Sequence, residues 1–261
     1  MKKILVLFNG ISAPWHISTF AMALAKENLS DLHVLILKDE VAGYPFPSDI
    51  TTVQKDYSLK EEKAENKMLE AKIIDLFTNL CNDENVACSF EKNVSFKEMI
   101  AFTANADIVI TDSNEDLKKY ALSDVLAGAK CPVCLVSDNA TQIKTNVLLY
   151  DGTVDASHAI ESYCNLFSKR CMEKSFIVTI NEGKENKLLS KSILEKFTNV
   201  TTVLLSGNKE KKLIEFLDEH AENAMVVIGA YGRSAISRLF KPSLSNVIIN
   251  QNKWSLFIAH N

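Results

Sequence analysis

Glycine and proline are scarce in this chain, at eight and five among 261 residues, which excludes collagen-like and low-complexity architectures. No apolar run approaches the ~18 residues of a membrane-spanning helix. The start, MKKILVLFNG, has an apolar run of five residues before Asn9 and no small-residue cleavage site after it, so it reads as a first strand and the chain as cytoplasmic. No HExxH, GxSxG or Walker sequence occurs, and the histidines are scattered as His16, His33, His158, His220 and His260. None of the familiar hydrolase or P-loop chemistries is therefore signalled. An excess of one charge is missing too. A formal net charge of −4 argues against nucleic acid or an anionic membrane as the default partner.

What is present describes an ordinary globular protein, 47% hydrophobic and 24% charged, with length for one large domain or two of about 130 residues. The six cysteines, in a chain without a secretion signal, are expected as buried reduced thiols. Cys131-x-x-Cys134 has redox or metal spacing, but Cys131-Pro132-Val133-Cys134-Leu135-Val136 reads as the entry to a strand. A redox pair sits at a helix start, and neither a second pair nor a nearby histidine completes a zinc site.

The strongest local signal runs from Ala224 to Asn261. An apolar strand, Met225 to Ile228, leads straight into Gly229-x-x-Gly232, a basic loop, Ser243 at a helix start and a last apolar strand, Leu256 to Ala259. Glycine after a parallel strand lets backbone N–H groups approach a phosphate; it also serves a plain strand-to-helix turn. Arg233, Arg238 and Lys241 give the loop three positive charges with no acid between them, able to neutralise phosphate or simply to be solvated.

The chain repeats itself. KILVLFNGISAPWHISTFAMAL from Lys3 matches TNVLLYDGTVDASHAIESYCNL from Thr145, setting Asn9 on Asp151, Gly10 on Gly152 and His16 on His158. NADIVITDSNED from Asn105 matches ENAMVVIGAYGR from Glu222, and PVCLVS from Pro132 matches WSLFIA from Trp254. Two similar units in tandem follow, residues 1–140 and 141–261, joined by the polar stretch Asp138 to Thr145. In the first, strands are expected near 3–8, 32–37, 86–90, 107–111 and 132–136, with helices near 15–27, 59–83, 95–104 and 116–128. In the second, strands are expected near 146–150, 175–180, 200–205, 224–228 and 254–259, with helices near 156–171, 186–197, 208–220 and 243–250. Short apolar strands alternating with helices imply an α/β fold, two doubly wound, Rossmann-like units each with a five-stranded parallel sheet. Val41 to Tyr57, with Gly43, Pro45 and Pro47, is expected as a loop able to cover a ligand or partner, ahead of a charged amphipathic helix.

These residues resemble the universal stress protein family in a tandem form whose first domain is degenerate. Nucleotide-binding members carry an aspartate after the first strand and G-x2-G-x9-G-[S/T] after the fourth. Asp151 matches the aspartate, and Gly229, Gly232 and Ser243 match all but one position of the second pattern. Pro242 stands at that position and offers no backbone N–H. The resemblance implies ATP or AMP, with Mg2+, in the second unit, contacting Asp151, Thr179, Gly229, Gly232, Arg233 and Ser243, with adenine near the Thr179 backbone. Asp151 also suits an Asx turn or a helix start.

In the first unit Asn9 replaces the aspartate, and Asp112 and Glu115 replace the glycines, where two carboxylates would repel phosphate. Asp112, Glu115 and Asp116 otherwise read as acidic first-turn residues, and His16 and His158 as helix-start packing residues shared by both copies. The implied function is regulatory stress response, with slow ATP hydrolysis the most catalysis allowed; a scaffold that binds no nucleotide is the alternative. The resemblance further implies an intramolecular pseudo-dimer through the fifth strands, and allows a homodimer and protein partners. Pairing Val133–Val136 with Leu256–Ala259 would remove two exposed apolar edges.

Overall fold

Strand β1 (Lys3–Phe8) is buried on both faces from Ile4 onward, the mark of a parallel strand sandwiched between helices. Ile4, Val6 and Phe8 join one core while Leu5 and Leu7 join another on the opposite face, as the two-residue strand period requires. The computed structural model describes residues 2–8, 15–37, 52–113, 122–138, 140, 143–180, 189–221, 223–230, 248, 251 and 253–260, with positions 52–66, 123, 230 and 260 described by backbone alone.

The described strands form one sheet. Besides β1 they are β2 (Asp31–Leu37), β3 (Cys88–Val94), β4 (Ile108–Asp112), β5 (Val133–Val136), β6 (Thr145–Leu149), β7 (Lys174–Ile180), β8 (Asn199–Leu205), β9 (Ala224–Ala230) and β10 (Ser255–His260). Their order is β3-β2-β1-β4-β5-β10-β9-β6-β7-β8. All pairs are parallel except β5 with β10, where Leu135 faces Leu256, Cys134 faces Phe257 and Val133 faces Ile258. The apolar edges at 133–136 and 256–259 thus cover one another. A buried hydrogen bond closes the seam, from the Ser137 N–H to Ser255 Oγ at 3.1 Å.

Helices α1 (Trp15–Asn28), α2 (Thr52–Asp83), α5 (Val154–Leu166) and α6 (Lys191–Leu194) cover one face; α3 (Phe96–Thr103), α4 (Leu122–Gly128) and α7 (Lys209–His220) cover the other. Local chemistry sets their starts. Ser95 and Glu98 form a reciprocal capping box at α3, Thr153 caps α5 through the Ala156 N–H, and Asn208 caps α7 through the Lys211 N–H. At the seam α1 meets α5. The Arg170 guanidinium lies 5.3 Å from the Phe20 ring, and Asn28 Nδ2 donates to the Leu166 carbonyl at 3.0 Å.

Several expectations shift. α5 ends at Leu166 rather than near 171, and α6 is Lys191–Leu194, with 189, 190 and 195–197 of the expected 186–197 outside it. β3 begins at Cys88 rather than near 86, because Val86 closes the end of α2, its N–H donating to the Cys81 carbonyl after Asn85 adopts φ 56°. α2 begins at Thr52, earlier than the expected 59, and so absorbs the end of the expected loop. The stretch 38–51 and most of the expected helix 243–250 lie outside the described residues. Among the described residues, no helix is long and apolar enough to cross a membrane.

Candidate functional site

In an open α/β sheet the ligand crevice lies beyond the carboxyl ends of the strands, where neighbouring crossovers leave in opposite directions. In the β10-β9-β6-β7-β8 half, that place lies between β6 and β9. Three sequence-picked residues gather around it at the amino end of α5. Asp151 follows β6 and is exposed; its Oδ1 accepts the Thr153 N–H at 3.1 Å and the Thr153 hydroxyl at 2.6 Å. Thr153 in turn caps α5, and Gly152 between them turns the chain with φ 83°. Thr179, near the end of β7, donates its hydroxyl to the Tyr150 carbonyl at 2.9 Å, fixing the residue just before Asp151. Asp151 therefore acts in the helix start, with its carboxylate still facing solvent at a strand end.

Gly229 has a reason that spacing did not reveal. A Cβ built there would lie 2.6 Å from Cα and N of Ala156 and 2.7 Å from the carbonyl carbon of Asp155. The first turn of α5 rests directly on β9 at this point, so glycine is required by backbone contact before any ligand is considered. The remaining sequence-picked residues, Gly232, Arg233 and Ser243, together with Pro242, Arg238 and Lys241, lie outside the described residues.

The corresponding crevice of the other half, between β1 and β4, holds acidic groups and a histidine. His16 on α1 has Nε2 3.6 Å from Asp112 Oδ1, at the end of β4, and Nδ1 3.5 Å from Asp138 Oδ1, just beyond β5. Sequence spacing did not find these carboxylates, because they stand 96 and 122 residues from the histidine (112 − 16 and 138 − 16). The usable signal was that β4 and β5 are parallel neighbours, which brings their carboxyl ends together. His158, the counterpart of His16 in the repeat, has one ring nitrogen, Nδ1, buried without a hydrogen-bond partner, as His16 has Nε2. Asn9, Glu115 and Asp116 lie outside the described residues, and among the described residues no cluster of His, Cys, Asp or Glu has metal-binding geometry.

The cysteines are all unbonded thiols. Cys131 and Cys134 are buried at the entry to β5 and within it, and burial pushes both up to about 12. A thiolate is the reactive species, so this pair is chemically quiet at neutral pH. With an aromatic disulfide reagent at pH 8, the folded chain is expected to label first at Cys88, the half-buried thiol, and to leave Cys131 and Cys134 unreacted until urea releases all six. Rapid native labelling of Cys131 or Cys134 would refute the structural assignment.

No family model and no curated protein matches the chain. Among solved structures it is similar to a universal stress protein from Archaeoglobus fulgidus DSM 4304, at 14% identity with a TM-score of 0.62, over 100% of this chain and 96% of that one. The likeness is one of fold: a large, mostly parallel α/β sheet.

Proposed function

We propose that the chain is a tandem protein of the universal stress type, two duplicated units paired through β5 and β10, whose second unit binds an adenine nucleotide. In this reading it is a cytoplasmic regulatory module of the stress response, with occupancy of the crevice as its signal. The observation that carries it is the exposed carboxylate of Asp151, held at the amino end of α5 beside the β6–β9 crossover point, with Thr179 fixing the preceding residue through the Tyr150 carbonyl. A carboxylate at a strand end suits the hydroxyls of adenosine, and a helix start favours phosphate.

The residues fit the adenosine part of such a ligand, ATP or AMP. The phosphates, with Mg2+, would be held by Gly232, Arg233 and Ser243. When bound, the nucleotide supplies phosphate charge and, as ATP, a hydrolysable anhydride. The chain's own part is binding and orientation.

A second reading, a scaffold that binds no nucleotide, is favoured by the Gly229 contact with α5, which explains this glycine without a ligand. Pro242, lacking a backbone donor, points the same way. Calorimetric titration with ATP, AMP and CTP separates the two. The nucleotide reading expects heat from ATP and AMP but not CTP, and binding weakened by about tenfold or more in Gly232→Glu. No heat at millimolar ligand leaves the scaffold. Binding unchanged by Gly232→Glu moves the site elsewhere.

A further inference from the structure

The two outer edges of the sheet are built differently. β3 exposes Glu91 and Lys92, and its register with β2 steps from Leu35–Glu91 to Leu37–Val94, so that Lys92 and Asn93 together oppose Ile36. Asn93 adopts φ 55° in this bulge. Charge and a bulge are the means by which an edge strand refuses a further strand. β8, at the other edge, has neither. Its sequence, NVTTVLL, contains no charge, proline or glycine, and it pairs with β7 in unbroken register from Lys174–Asn199 to Ile180–Leu205. Leu204 is 49% exposed on it. Behind the strand a groove of about 530 Å3 runs under α7, floored by Phe176, Val203, Leu205 and Phe216.

The charges of α7 say what this edge is built to meet. Lys209, Lys211 and Lys212 outnumber Glu210 in its first turn, and Glu215, Asp218 and Glu219 outnumber His220 in its second half. The helix macrodipole favours the opposite order, acids first and bases last. Partners within the chain exist, with Lys212 2.7 Å from Glu215 and Lys253 2.8 Å from Asp218, but these pairs are exposed and contribute little. Because α7 returns the chain from β8 to the parallel strand β9, it runs antiparallel to β8. A two-fold axis normal to the sheet, just outside β8 and level with its middle, would turn the basic end of one α7 toward the acidic end of another, twice over. Both helices would then lie on the same face of the continued sheet.

We propose that β8 and α7 form a self-association surface, on which two copies of this chain pair their β8 strands antiparallel about an axis near Thr202. Thr202 then faces Thr202 of the second copy, Thr201 faces its Val203 and Val200 faces its Leu204. No like charges are opposed in the strand pair, and β-branched and aliphatic side chains suit such pairing. The second copy brings its own Val203 and Leu205 toward the groove, and the sheet continues without an open apolar edge.

Sedimentation of the full chain, from micromolar to millimolar concentration, tests this. The mass is expected to rise to that of two chains. Thr202→Lys, an exposed change that opposes two lysines on the axis, is expected to hold the mass at one chain with an unchanged circular dichroism spectrum. Lys209→Glu should weaken association by about tenfold, and Lys209→Glu combined with Glu219→Lys should restore it, since each reversed charge meets its reversed partner. Thr202→Cys should cross-link to a disulfide dimer under mild oxidation, whereas Glu91→Cys on β3 should not. A one-chain mass throughout, which would leave the edge to a strand of a different protein, overturns the proposal. So does a dimer that survives Thr202→Lys.

Discussion

Gly229→Val is expected to cost about 3 kcal/mol or more of folding stability, at the upper end for overpacking, and to abolish any binding that depends on the β6–β9 crevice. The obstacle is backbone. Three main-chain atoms of Asp155 and Ala156 lie within 2.7 Å of the position a Cβ would take. A side-chain neighbour could rotate away, but here α5 must lift off β9 as a unit. Its first turn carries the Thr153 cap, which is tied to Asp151 by two hydrogen bonds, so lifting the helix also moves the carboxylate. Gly229→Ala meets the same atoms with a smaller group and should cost less than valine. Urea unfolding followed by circular dichroism measures both. A valine variant within 1 kcal/mol of the parent, on the order of what an ordinary surface change costs, would mean that α5 does not rest on β9 as described.

This contact also shows where reading the chain stops. Internal repetition, alternating apolar strands and glycines after strands were enough to anticipate ten strands and the place of Asp151 beyond the end of β6, while Gly229, expected just past its strand, lies within β9. Those features are written in periods of two and of 3.6 residues and in turn chemistry, all local. The purpose of Gly229 is not local: it depends on how closely α5 approaches β9, which is set by packing of residues more than 70 apart (229 − 156). The carboxylates beside His16 were hidden for the same reason. Asp151 lay between the two kinds. Its partner Thr153 stands two residues away and was available to an Asx-turn reading, whereas the Thr179 bond to Tyr150 emerges only once β7 lies beside β6.

The two halves also share more than a seam of strands. Buried residues of both contribute to the core on each face of the sheet. The Phe20 ring of α1 lies 6.0 Å from Phe167, which stacks 5.0 Å from Tyr163. An order to unfolding, one half before the other, would have to break this cluster first. A single cooperative transition is therefore the expectation for the whole sheet.

Tyr163 is the residue through which that expectation is best tested. It is fully buried, meets Phe167 and Phe257, and donates its hydroxyl to Asn146 Oδ1 at 2.6 Å. Asn146 is itself fully buried and passes its Nδ2 hydrogens to the Arg170 carbonyl at 2.7 Å and to Ser175 Oγ at 3.0 Å. Tyr163→Phe keeps the ring but leaves the Asn146 carbonyl oxygen without its donor, a loss of about 1–3 kcal/mol. Tyr163→Ala adds the cavity and the lost ring contacts, about 3–5 kcal/mol for an aromatic side chain removed from a core. At about 2–4 °C per kcal/mol for a domain of this size, the alanine variant should melt well below the phenylalanine variant. In a Trp15→Phe background, which removes the other, exposed tryptophan, both should shift one transition, seen alike by far-ultraviolet circular dichroism and by the fluorescence of Trp254, which is buried in the half that contains Tyr163. Separation of the two signals, with fluorescence changing first, would show that the halves unfold independently despite the aromatic cluster between them. A phenylalanine variant as stable as the parent would instead place the Asn146 oxygen in contact with a donor other than the tyrosine hydroxyl.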